Sequence, residues 1–141
     1  VNKLGVPSFV FSREEFIAGV PILEKLAEYD VCLIVLAGFM NKISDVILQA
    51  FPGKIVNIHP ALLPKYGGKG MYGMHVHEAV VKAGERESGI TIHYINEHYD
   101  EGAIIFQASC PVLPSDTPEE VASKVHALEY AHYPHVIESL L

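Results

Sequence analysis

The chain has no tryptophan, only two cysteines, and no apolar run long enough for a bilayer. Each shortage closes off a class of protein. Cys32 sits inside an apolar run and Cys110 just before Pro111, so the pair forms neither a disulfide framework nor a metal-ligand cluster; both read as passive packing residues in a reducing cytoplasm. Apolar stretches such as Val31 to Ala37 stop at glycine or charge well before the roughly 20 residues of a membrane span, and the reading is of a soluble, unexported chain. Positive charge is also short. Ten Lys and Arg against 17 Asp and Glu leave a net charge of -7, the wrong sign for tracking a phosphate polymer, so neither nucleic acid nor membrane is expected as a partner. What is present is 141 residues, 50% hydrophobic and 19% charged, which suffices for one packed core. Without repeats, linkers or low-complexity segments, residues 1–141 read as a single domain.

Local signals order the chain. Asn2-Lys3-Leu4-Gly5-Val6-Pro7 reads as a last helical turn closing on glycine, so the chain is expected to be the C-terminal portion of a longer protein. Ser8 to Phe11 reads as a short strand. Ser12-Arg13-Glu14-Glu15 has capping-box spacing and opens a helix that Gly19 and Pro21 interrupt and that resumes through Tyr29. Val31 to Leu36 is apolar at every position, as a strand covered on both faces must be. Ser44 to Ala50 makes a helix, Lys54 to Asn57 a strand, and Pro60 to Met74 an irregular Pro- and Gly-rich stretch. A helix from His75 to about Ala83 precedes two strands, Gly89 to Ile95 and Ala103 to Pro111, joined closely enough for an antiparallel return. Thr117-Pro118-Glu119-Glu120 opens a closing helix that Pro134 can kink. Strands alternating with helices imply an α/β fold with a doubly wound, mostly parallel sheet and an antiparallel pair near the C-terminal end.

In such folds ligands gather outside the carboxyl ends of the parallel strands, which singles out residues 38–42 and 57–60. Asn57 and His59 straddle Ile58 at a strand end, so in extended geometry both side chains leave on one side. An amide donor beside an imidazole suits acyl chemistry, where an oxyanion needs a donor and protons must move near neutral pH. The same residues also suit a plain structural role, Asn57 capping the turn before Pro60 and His59 filling space. Asp100, in the polar turn His98-Tyr99-Asp100-Glu101-Gly102, would raise the histidine's pKa if it reached the same site; equally it suits an ordinary Asp turn. Spacing does not decide between them.

Leu36-Ala37-Gly38-Phe39-Met40, then Asn57-Ile58-His59-Pro60-Ala61-Leu62-Leu63-Pro64-Lys65-Tyr66, then Asp100-Glu101-Gly102 with Ile104-Ile105, closely resemble the phosphoribosylglycinamide formyltransferases, folate-dependent enzymes of purine synthesis. The likeness runs from about Ser12 to the C-terminus. Asn-x-His-Pro with a downstream Asp is common to enzymes that use formyltetrahydrofolate, and the Leu-Leu-Pro-Lys-Tyr continuation narrows the match. The resemblance implies formyl transfer from 10-formyltetrahydrofolate to the amino group of glycinamide ribonucleotide. It implies that His59 donates the proton, Asn57 holds the formyl oxygen, Asp100 keeps His59 charged, and Glu129 holds the substrate amine. For the folate it implies a pocket wall from Met40, Asn41, Lys42 and Ile43 beside Asn57, with Arg13 at the anionic tail. It further implies that the phosphate-binding strand, loop and helix lie upstream of these residues, leaving the Val31 to Leu36 strand as a sheet edge open to self-association.

Two features depart from that pattern. Asn41 stands where some relatives carry a second arginine, a place Lys42 could fill. Gly67 to Met74 is longer than the short Pro-Gly turn of many relatives; it lacks Walker spacing and reads as a lid or cover. The eight histidines, His75, His77, His93 and His98 among them, raise a metal-binding alternative, but a His-x-His opening a helix points its rings apart, and ordinary core or surface histidines are expected instead. The competing functions are a formyltetrahydrofolate deformylase, a non-catalytic folate- or metal-binding module, and a transferase acting on charged tRNA, which the acidic composition opposes.

Overall fold

The computed structural model describes residues 4–39, 42–96 and 102–141. Ser12 accepts from the Glu15 backbone while the Glu15 side chain accepts from the Ser12 backbone, and this capping box starts α1 (Arg13–Ala18). Gly19, at a φ of 76°, ends α1 and begins α2 (Val20–Glu28), so the break expected at Gly19 and Pro21 is a corner between two helices. The chain continues through β1 (Ile34–Leu36), α3 (Asp45–Ala50), β2 (Ile55–His59), α4 (Met74–Lys82), β3 (Glu87–Tyr94) and β4 (Ile104–Pro111). A second capping box, Thr117 with Glu120, opens α5 (Pro118–Ser139), a 22-residue helix that contains Pro134.

The strands form one sheet in the order β1-β2-β3-β4. β1 runs parallel to β2, while β2 with β3 and β3 with β4 are antiparallel. The α/β class is as expected, but antiparallel pairing extends to β2 and is not confined to the closing two strands. The register explains it: His59 pairs with Thr91 and Val56 with Tyr94, so β3 begins at the end where β2 stops. The irregular segment and the nine-residue α4 return the chain to the end it left, instead of carrying it across the sheet.

Helices cover both faces. Ile43, Ile47 and Ile55 make one cluster with Ile22 and Leu26 of α2, and Ile58, Val80, Ile90, Ile92, Val121 and Val125 make the other under α4 and α5. All five residues of β2 are buried, as befits an inner strand between two helical layers.

Three expectations are corrected. Ser8 to Phe11 is not a strand: Val10 is 98% exposed, and Phe9 instead packs on Tyr29 with Lys25 over its ring. No described strand lies beside it to accept its backbone. The Val31 to Leu36 strand shortens to Ile34–Leu36, with Val35 exposed, because among the described residues β2 is its one neighbour and its outer edge is open. For the same reason Cys32 is an exposed thiol and not a packing residue, while Cys110 is half-buried.

The segment after β2 is irregular yet fixed. Thr91 Oγ1 donates to the Ala61 carbonyl (2.7 Å) and accepts from the Leu63 backbone (3.0 Å). Gln107 of β4 donates to both Leu63 O (3.0 Å) and Thr91 Oγ1 (2.9 Å). A chain that must satisfy its backbone groups without a ladder finds its partners on β3 and β4. The segment beyond His59 is thereby pinned over the sheet end.

Candidate active site

A cavity of about 860 Å³ opens at the carboxyl end of β1 and β2. Asn57 and His59 both line it, together with Ile58 between them, and both are buried. Their hydrogen bonds assign much of their chemistry. His93, the cross-strand partner of Asn57, donates from Nδ1 to the Tyr94 carbonyl (3.1 Å), which leaves its Nε2 to accept from Asn57 Nδ2 across 3.5 Å. The amide is thus oriented by the neighbouring strand, with Oδ1 buried and without a hydrogen-bond partner among the described residues. A buried polar atom left unpartnered is costly in a structural residue and is what an amide waiting for a ligand looks like. The capping role considered for Asn57 does not fit this geometry. His59 donates from Nε2 to the Tyr66 carbonyl at 2.6 Å, so the pinned segment also holds the imidazole.

Glu129 reaches the same cavity from α5. Burial pushes its carboxyl pKa up, and His126 draws it partly back. A cation bound beside a half-buried acid of this kind draws its pKa back down. Lys42 and Ile43 also line the cavity, Ile43 buried and Lys42 extended toward Asp45 at 3.9 Å. Arg13 is exposed in the first turn of α1 and is not among the lining residues. Met40, Asn41 and Asp100 lie outside the described residues.

Several lining residues carry no sequence motif of their own. His126 and Tyr133 stand three positions before and four after Glu129, on the same helical face, and that spacing on a capped helix was the available signal. Tyr133 Oη donates to the Leu36 carbonyl at 2.7 Å, tying α5 to the exit of β1. His77 of α4 is 2% exposed, its Nδ1 has no hydrogen-bond partner, and its ring stands 6.4 Å from and perpendicular to that of His126. Burial lowers the His77 pKa, and His126 and His59 lower it further, so the ring is held neutral. Among the described residues no group of three or more His, Cys, Asp or Glu could hold a metal ion. No described helix is long and apolar enough to cross a membrane.

Known proteins share much of this sequence and fold. The chloroplastic phosphoribosylglycinamide formyltransferase of Arabidopsis thaliana is 42% identical over 141 residues, covering 96% of this chain and 48% of its own length. The Haemophilus influenzae phosphoribosylglycinamide formyltransferase is 40% identical over 137 residues, 94% of this chain and 62% of that protein. The chain therefore spans about half the length of the plant relative it matches. Among solved structures, the phosphoribosylglycinamide formyltransferase of Bacillus halodurans superposes with a TM-score of 0.90 at 32% identity, over 100% of this chain and 72% of that one. The Streptococcus pneumoniae enzyme of the same name gives 0.88 at 36% identity, over 99% and 77%. Residues 4–137 match the family model described as formyl transferase, a span that takes in β2, the cavity and Glu129. With fold and sequence in agreement, the chain belongs to the formyl transferase family.

Proposed function

We propose that this protein supplies the catalytic portion of a phosphoribosylglycinamide formyltransferase, which moves a formyl group from 10-formyltetrahydrofolate to the amino group of glycinamide ribonucleotide in de novo purine synthesis. The observation that carries the reading is the convergence of Asn57, His59 and Glu129 on one cavity. An acyl transfer to an amine needs those three functions: a donor for the carbonyl oxygen as it becomes an oxyanion, a group that moves protons, and a counter-charge for the amine. Asn57 Nδ2 supplies the first and His59 the second. Asp100 is assigned to keep His59 protonated. Glu129 gives the site a purpose for an amine that hydrolysis by water lacks, which favours transferase over deformylase. The names of the relatives point the same way.

The residues present suit a flat, partly apolar formyl donor. Phe39 and Ile43 give apolar wall, and the unpartnered Asn57 Oδ1 and the Lys42 ammonium give polar contacts. Met40 and Asn41 complete the assigned wall, and Arg13 is assigned to the anionic tail. No resident metal is assigned, and a cytoplasmic location is included in the proposal.

The test is steady-state formyl transfer by the full-length protein and its Asn57→Ala, His59→Ala and Asp100→Asn variants, with glycinamide ribonucleotide, charged initiator tRNA and water as competing acceptors. The wild type is expected to prefer the ribonucleotide, and each substitution to cut kcat by about 10²-fold or more. Near wild-type rates in all three variants, or a preference for water or tRNA, would overturn the assignment.

A further inference from the structure

His59 is held by a carbonyl that is itself held from outside the cavity. Nε2 of the imidazole stands 2.6 Å from the Tyr66 carbonyl oxygen, and since a carbonyl only accepts, that nitrogen carries a proton. Positive charge on the donor strengthens a bond this short, so an acceptor fixed at this place favours the protonated ring. Whatever sets the position of the Tyr66 carbonyl therefore acts on the group assigned to move protons.

Tyr66 reaches that position at a φ of 57°, in the left-handed region that a residue with a side chain keeps only where its surroundings enforce it. Two anchors enforce it. Earlier in the segment, Thr91 and Gln107 bond the backbone at Ala61 and Leu63. At Tyr66 itself the ring packs against the core under α4 and α5, and Oη donates to Glu85 Oε1 at 3.1 Å. Glu85 is fixed for a local reason. Gly84, at a φ of 69°, turns the chain back at the end of α4, with Gly84 N–H bonded to the Val81 carbonyl (3.0 Å) and Glu85 N–H to the Val80 carbonyl (3.2 Å). The carboxylate thus leaves from a closed helix cap. Lys65 Nζ also stands 3.7 Å from Glu85 Oε2, but its side chain is 69% exposed and such a pair contributes little.

We propose that Tyr66 and Glu85 are positioning residues for His59: the Glu85 carboxylate, fixed by the C-terminal cap of α4, holds the Tyr66 hydroxyl and so keeps the Tyr66 carbonyl where it accepts the His59 Nε2 proton. The inference rests on the proposed function, which assigns His59 as the proton donor. Neither positioning side chain lines the cavity. The charged and imidazole groups that share the cavity with His59 are Lys42, Lys69, His77, His126 and Glu129, with Asp100 assigned beside it. All six are left in place by substitutions at Tyr66 and Glu85, so a change in His59 on such a substitution reports the tie.

The experiment uses the full-length protein with Tyr66→Phe, Glu85→Ala, Glu85→Gln and the double variant of Tyr66→Phe with Glu85→Ala. Two things are read in each: kcat and KM for formyl transfer across pH, and the titration of the His59 imidazole by NMR, its signal identified by its loss in His59→Ala. Tyr66→Phe keeps the packed ring and removes only the hydroxyl. It is expected to lower kcat about fivefold with KM for both substrates nearly unchanged, and to move both the alkaline limb of the kcat profile and the His59 titration to lower pH by roughly half a unit. Glu85→Ala is expected to do the same, and the double variant to be no worse than either, because all three remove one tie. Glu85→Gln keeps an acceptor oxygen and is expected to keep the wild-type profile. A kcat profile and a His59 titration that move in neither Tyr66→Phe nor Glu85→Ala would overturn the positioning role and leave the proposed function standing. A His59 titration that moves as expected in a protein that transfers no formyl group would support the tie and overturn the proposed function instead.

Discussion

A histidine sealed from solvent with no partner for Nδ1 can be kept cheaply only in its neutral form, because a proton there would add a buried charge facing two more imidazoles. His77 is in that position, with His126 on α5 and His59 on β2 as the titratable groups that lower its pKa after burial itself, and Glu129 on the same cavity wall. The consequence is a pH-dependent stability. Below about pH 6.5 the unfolded chain protonates this imidazole while the folded chain, with its lowered pKa, does not, so the unfolded state binds the extra proton. The contribution of His77 is therefore fully present above about pH 6.5 and falls as the pH drops toward its folded pKa. Urea midpoints measured from pH 7.5 to 5 are expected to decline, and to decline less in His77→Gln. Since every other group is common to the two proteins, the difference between the two curves isolates this residue; identical slopes would show that His77 is not held neutral. Asn57 and His59 were legible as a pair because period-two geometry in a strand fixes which side chains share a face. The orienting role of His93 was not, since nothing in the sequence states that His93 stands opposite Asn57.

Among the elements, those announced by their own residues appear where they were expected, and those that depend on neighbours do not. Both capping boxes start helices, and the alternating and apolar runs of β2, β3 and β4 are strands within a residue or two. Ser8 to Phe11 and the first half of the Val31 run have strand-like residues but no described partner strand, and a strand without a partner has no ladder. The irregular stretch after His59 could be located by its prolines and glycines, but not its anchoring, which comes from Thr91 and Gln107 far along the chain. The closing helix shows the same dependence. Pro134 lacks the N–H that would bond the Tyr130 carbonyl, which weakens the ladder in the turn after Glu129, and there Tyr133 Oη reaches out to the Leu36 carbonyl. We expect Tyr133→Phe to lower unfolding free energy by about 1 kcal/mol, the usual net value of one buried hydrogen bond. In the full-length protein it is also expected to raise KM for the amine acceptor several-fold by loosening Glu129. Denaturant titration and steady-state kinetics check the two effects separately, and a variant unchanged in both would mean that the tie positions nothing.

At the scale of the whole molecule, the open side of β1 connects the fold to the question of what else the site requires. β1 is an edge strand of three residues with Val35 exposed, and the described portion of the sheet has nothing beyond it. An apolar edge with unpaired backbone groups favours association with another copy. The acceptor we propose brings a phosphate, which in doubly wound folds is held by backbone N–H groups in a Gly-rich turn after a strand. The matched relatives are longer than this chain, which spans 48% of the Arabidopsis protein and 72% of the Bacillus halodurans structure. We propose that the longer protein supplies a strand against β1 and, with it, that turn. Prepared on its own, the 141-residue chain is then expected to associate as its concentration rises and to bind the ribonucleotide weakly. Val35→Lys should reduce the association without improving binding, since a charge on the edge blocks pairing but provides no phosphate site. Sedimentation read together with ribonucleotide titration separates the two effects. Adding the upstream segment of the longer protein is expected to restore binding and abolish self-association at once, because a single strand and its loop would answer both needs. A chain that stays monomeric and binds the ribonucleotide tightly without that addition would show that the β1 edge is already satisfied and that the phosphate is held within these 141 residues.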